Sequence, residues 1–214
     1  ASHMLLRYLT GFEGDVPAVA GVRAVYHPRE PQPDVAPQPT ALDFLEPELK
    51  KRLQLGFSRQ RRFLLYGSDN TAPLQLARDV MNSQDVPLIE ADAEGLLAGG
   101  ENALVVLLGE AKLRRAGIFL DRVEALGRAE ADPLKVRRFF ELFGAVRIPQ
   151  FHRVTYGISP AMRLRFAREL DCVELRLRPP DPDTRGLVWR TRLAPYFDAG
   201  AIDAVAFTAR VFPF

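Results

Sequence analysis

"LLYGSDNTAPLQLARDV", residues 64–80, decides how the chain is read. The apolar run before Gly67 predicts a buried strand, the polar residues after it a turn, and Pro73 followed by apolar residues at helical spacing a helix. Strand, turn and helix in this order frame a phosphate-binding loop, where backbone N–H groups at a helix N-terminus close around phosphate. A working loop reads G-x-x-x-x-G-K-[ST]: the lysine neutralises the outer phosphates and the hydroxyl holds magnesium. Here the eight positions are Gly67, Ser68, Asp69, Asn70, Thr71, Ala72, Pro73 and Leu74. Only the first glycine is kept. Ala72 stands at the second glycine, Pro73 at the lysine and Leu74 at the hydroxyl, while Asp69 adds negative charge. Proline removes both a cation and a backbone donor, yet it suits the first turn of a helix, so the geometry can persist without the chemistry.

The second informative stretch is "AGIFLDRVEAL", residues 116–126. An apolar strand ending in Asp121 is how a magnesium-binding aspartate is presented in nucleoside triphosphatases. The acid expected next, which would activate water, is replaced by Arg122, and Glu124 lies two residues further on. The structural alternative makes Asp121 the N-cap of the next helix.

Outward from these two stretches the chain alternates between strand and helix. Strands are expected at 62–66, 86–90, 116–120, 152–158 and 172–177. Helices are expected at 41–57, 72–83, 101–115, 133–144, 161–169 and 182–196. This alternation predicts an α/β fold whose mainly parallel five-stranded sheet carries helices on both faces. "HPREPQPDVAPQP", residues 27–39, holds five prolines in thirteen positions and reads as an extended connector between an N-terminal arm and the main domain.

In order and spacing, these segments resemble the core of the AAA+ ATPases, a P-loop NTPase family, over residues 41–197. "HRVTYGIS" resembles the core strand that ends in the sensor-1 polar residue, with Ser159 the nearest match. "RLRFARELDCVELRLRPPDPDTRGLVWRTRL" resembles the arginine-finger helix, the last strand, a P-D-x-x-x-R turn and the following helix. Asp181 and Arg185 fit that turn, and Arg165 and Arg168 are the two candidates for the finger. The resemblance implies a vestigial nucleotide site made of Gly67, Ala72, Pro73, Leu74, Asp121, Arg122 and Ser159. It also implies that 198–214 begins a helical lid in a fragment of a longer protein, comparable to the inactive module of a bacterial tandem AAA+ ATPase. Residues 1–4 read as a tag remnant and 5–40 as the arm and linker.

Composition narrows the remaining options. Hydrophobic residues make up 47% of the 214 and charged residues 26%, which fits a globular chain. No apolar run approaches the roughly 20 residues that span a bilayer. With no signal peptide, a cytoplasmic location is expected. A lone Cys172, with His27 and His152 as the histidines outside the tag remnant, leaves no ligand set for zinc and reads as a buried small hydrophobe. Three functions compete. The first is an inactive AAA+ module with no cofactor, acting as a scaffold or assembly surface for other AAA+ modules, subunits or a further protein partner. The second is an atypical ATP binder or slow ATPase using magnesium at Asp121 and an arginine for phosphate. The third is a nucleic-acid-associated module using the basic stretch 50–62, which holds six basic residues and no acid, and "KVRR" at 135–138. The aromatics of "RRFFELF", 137–143, are read as core, or else as a protein-docking patch if exposed.

Overall fold

The computed structural model describes residues 19–28, 47–59, 62–67, 72–128 and 130–178, with Leu45, Asp183, Gly186 and Arg190 as isolated residues. Outside these lie the tag remnant, most of the arm and linker, Ser68–Thr71, Asp181, Arg185, most of the expected 182–196 helix, and the expected lid.

Twelve elements follow in the order β1 (Val22–Tyr26), α1 (Pro47–Arg59), β2 (Arg62–Tyr66), α2 (Pro73–Asn82), β3 (Leu88–Asp92), α3 (Ala93–Leu113), β4 (Gly117–Asp121), a 3-10 helix (Val123–Gly127), α4 (Pro133–Ala145), β5 (Gln150–Val154), α5 (Pro160–Glu169) and β6 (Val173–Arg176). They build one six-stranded sheet of order β1-β3-β4-β5-β2-β6. The five expected strands are all present and pair in parallel. The sixth, β1, comes from the segment read as an arm outside the core, and it pairs antiparallel with β3. The five-strand expectation is corrected on this point. "VRAVY" is as long as the expected strands, but it lies before the proline-rich segment and outside the strand–helix alternation, so only its pairing with the edge of β3 identifies it.

Side chains on alternate strand positions enter two separate cores. Leu64, Ile89, Ile118, Leu120 and Val154 face α3, α4 and α5. Phe63, Leu65, Leu88, Phe119 and Phe151 face the opposite side with α1 and α2. Helices therefore cover both faces, as a parallel sheet requires. Phe139, Phe140 and Phe143 are at most 1% exposed, so the docking-patch alternative for "RRFFELF" is overturned.

Boundaries moved where tertiary contacts outweigh local signals. α3 starts at Ala93 instead of 101 because Asp92 caps it, its side chain accepting from Gly95 N. The Gly99–Gly100 pair does interrupt the helix, at Gly100 (φ 69°, ψ −162°), but helix lies on both sides of it. β3 runs on to Asp92 and β5 starts at Gln150 because the charged or polar residues there are buried with partners. Among the described residues, no helix is long and apolar enough to cross a membrane.

Candidate functional site

The parallel strands end on one edge, where β2 and β5 lie side by side while their connections leave to opposite faces, β2 to α2 and β5 to α5. Ligands of open α/β sheets bind at such a switch point. Gly67 closes β2 there, its N–H donating to the carbonyl of Val154 at 3.2 Å. Ala72 follows in the left-handed conformation (φ 47°, ψ 49°), and Pro73 is buried at the start of α2, which has no side-chain cap. Leu74 packs partly buried against the core shared with α1 and α2.

Asp121, at the end of β4, is surrounded by guanidinium groups. Arg153 of β5 donates from Nη1 to Asp121 Oδ1 at 3.1 Å. Its Nε donates to the Gly67 carbonyl at 3.4 Å. Arg23 of β1 donates from Nη1 to Asp121 Oδ2 at 2.9 Å. The backbone N–H of Arg122 also donates to Oδ1, at 2.9 Å. Both carboxylate oxygens are thus engaged within the chain.

The cluster extends along the edge. Arg122 forms a two-pronged contact with Asp92, at 2.9 Å from Nε and 2.7 Å from Nη2. Its guanidinium pKa is raised, chiefly by that hydrogen bond. Arg23 also reaches Glu90 at 3.4 Å and Asp92 at 3.6 Å. Tyr26 donates its hydroxyl to Glu90 at 2.6 Å, and burial followed by this contact raises its pKa. Three arginines, Arg23, Arg122 and Arg153, therefore balance three buried carboxylates, Glu90, Asp92 and Asp121. The carboxylates and Arg153 are largely buried and need this compensation, whereas the side chains of Arg23 and Arg122 are 40% and 39% exposed.

The other expected site residues lie apart from this cluster. Ser159 falls five residues beyond the end of β5 and caps α5, accepting from Met162 N at 3.2 Å. Arg165 forms a two-pronged pair with Glu169 and covers the ring of Phe140 at 4.1 Å. Arg168 is exposed in the last turn of α5. Asp121 does not cap a helix; Arg122, in the left-handed conformation, precedes the 3-10 helix instead. Glu124 points back to β5, accepting from Thr155 N at 3.4 Å.

The sequence reading missed Arg153 and Arg23. The signal for Arg153 was a charged residue inside a strand flanked on both sides by covering helices, which demands a buried partner. Arg23 had no comparable signal, because its role depends on the pairing of β1 with β3.

The basic stretches and the reactive residues are also engaged. Arg62 donates to the carbonyls of Leu170, Gly144 and Val146 at 2.8 to 2.9 Å. Lys135 bonds the Leu97 carbonyl, and Arg137 and Arg138 pair with Glu141 and Glu101. His152 is fully buried among Phe139, Phe143 and Phe166. Burial, helped by the charge of Arg62, lowers its pKa to about 3. Burial also raises the Cys172 thiol well above its usual range, so neither residue is an activated nucleophile.

No protein-family model matches the chain, and no curated protein matches it in sequence. Solved structures do. A FIGL-1 AAA domain in complex with ADP superposes with a TM-score of 0.62 at 18% identity, over 94% of this chain and 72% of that one. This is the AAA fold. A second FIGL-1 AAA domain gives 0.59 at 15% identity, covering 97% and 72%. A structure described as the basis for katanin self-assembly gives 0.55 at 19% identity and covers 72% of this chain. Our chain spans 55% of that katanin chain. At these identities the AAA likeness concerns the fold alone.

Proposed function

We propose that this chain is a catalytically inactive AAA+ module, serving as scaffold or assembly surface within a larger AAA+ ATPase. The observation that carries the reading is the engagement of both Asp121 oxygens by Arg153 and Arg23. Magnesium nucleotide does not fit this residue set. Pro73 offers neither charge nor N–H, Leu74 offers no hydroxyl, and two arginines already neutralise the aspartate that would take the metal. Ala72 and Arg122 belong to the same vestigial frame, Ser159 lies apart from it as the cap of α5, and Arg165 and Arg168 sit on the helix that would carry the finger. The partners proposed are other AAA+ modules or subunits in the cytoplasm. The likeness to a katanin structure concerned with self-assembly supports this direction. Arg62, Lys135, Arg137 and Arg138 are held by intramolecular contacts, so no observation favours nucleic acid.

One observation favours a second reading, an atypical ATP binder. The Arg153 guanidinium bridges Gly67 and Asp121, where a cation facing phosphate would stand. Calorimetric titration of ATP with magnesium separates the two. The inactive module gives no heat at millimolar ATP. Magnesium-dependent binding that disappears in both Arg153→Ala and Asp121→Ala would establish the second reading and end the first.

A further inference from the structure

We propose that β1 is a charge-locked strap that couples the N-terminal segment to the carboxyl end of β4 through Arg23. The strap holds whether or not the site takes nucleotide, so it stands apart from the functional reading above.

Three observations converge on it. First, β1 closes the sheet edge by backbone pairing: Ala24, Val25 and Tyr26 lie opposite Glu90, Ile89 and Leu88, with an irregularity between Val22 and Ala24. Arg23 sits at this irregularity, where the local bend re-aims a side chain. Second, Arg23 gathers carboxylates from two other strands: Glu90 and Asp92 of β3 at 3.4 and 3.6 Å, and Asp121 of β4 at 2.9 Å. Among the described residues β1 pairs only with β3, so this side chain reaches past its neighbour to the next strand. Third, the entry to β1 is seated tightly. Gly21 has φ 85°, its carbonyl accepts from Asp92 N at 2.7 Å, and a Cβ placed on it would lie 2.5 Å from the N of Leu96. Only glycine fits there.

The consequence is electrostatic. With Arg23 present, three guanidinium groups balance three buried carboxylates. Without it, one largely buried carboxylate loses its cation, a cost that water reaching the 40% exposed Arg23 position partly relieves. The Asp121 carboxylate also receives the Arg122 N–H, so loosening Arg23 loosens the turn after β4.

The test uses the whole chain and amide exchange followed residue by residue. Arg23→Met keeps the apolar stem and removes the charge. It is expected to speed exchange by at least about tenfold both at β1 and at Arg122 N–H, because both belong to one locally opening unit. Adding Glu90→Gln removes one carboxylate, restores the charge balance and is expected to return both rates toward wild type. Should Arg23→Met fail to fold, recovery of folding by Glu90→Gln carries the same meaning. Exchange confined to β1, or a double variant no better than the single one, overturns the proposal.

Discussion

Arg153 and Asp121 form a 3.1 Å ion pair whose side chains are only 10% and 9% exposed, at the end of the sheet where β2 and β5 lie side by side. An internal cation thus occupies the reach of the aspartate, and this has thermodynamic consequences independent of any ligand.

Asp121→Leu leaves Arg153 buried without its carboxylate, a change that costs about 3–5 kcal/mol in buried pairs. The double variant Asp121→Leu with Arg153→Met is expected to be less unstable than the sum of the single losses, since neither charge is then stranded. Urea denaturation of the four proteins gives the coupling energy. A value near zero would show that the pair does not hold the site together.

His152 makes folding sensitive to acid. Its folded-state pKa of about 3 lies below the unfolded value of about 6.5. The unfolded chain therefore takes up a proton first as pH falls. The stability contributed by the neutral buried ring is complete above pH 6.5 and is lost as pH falls toward 3, at a slope of up to about 1.4 kcal/mol per pH unit. His152→Phe, which suits the surrounding rings, is expected to flatten the fall in melting temperature between pH 6.5 and 4. An unchanged slope would assign the acid sensitivity to the carboxylates.

Arg62 ties β2 to the ends of two helices by donating to three carbonyls. Hydrogen bonds from a charged donor contribute about 1.5–3 kcal/mol each, and their loss here is partly relieved by water, so Arg62→Ala is expected to cost about 2–4 kcal/mol. Lys, which carries charge without the planar fork, should recover only part of this. Denaturant midpoints of the two variants check both statements.

Phe143 is fully buried, stacked on Phe139 at 4.3 Å and against the His152 ring at 5.8 Å. Phe143→Ala is expected to cost about 3–5 kcal/mol, as large-to-small changes in packed cores do. A soluble, equally stable variant would mean that this helix face is not core.

The parts of the fold legible in the sequence are those whose signal is local. Phe63–Leu65 and Ile118–Leu120 are continuous apolar runs that only a strand covered on both faces can bury. Pro73, Pro133 and Pro160 mark helix starts because their missing N–H costs nothing in the first turn. That Pro73 and Leu74 carry neither a cation nor a hydroxyl was likewise plain from residue types alone.

What the sequence by itself determined is the alternation of strand and helix and the strand–turn–helix order around Gly67; that Phe139, Phe140 and Phe143 are core and not a docking patch needed the fold. The tertiary structure alone decided that "VRAVY" becomes a sixth strand, that β3 runs on through Ala91 to Asp92, and that Arg23 and Arg153 converge on Asp121. The reason is physical. Periodicity and helix-start signals act between neighbours in the chain, whereas Arg23 and Asp121 are 98 residues apart and meet only after the sheet has set their strands in register. A buried charge announces that it needs a partner, but only the folded sheet selects which one.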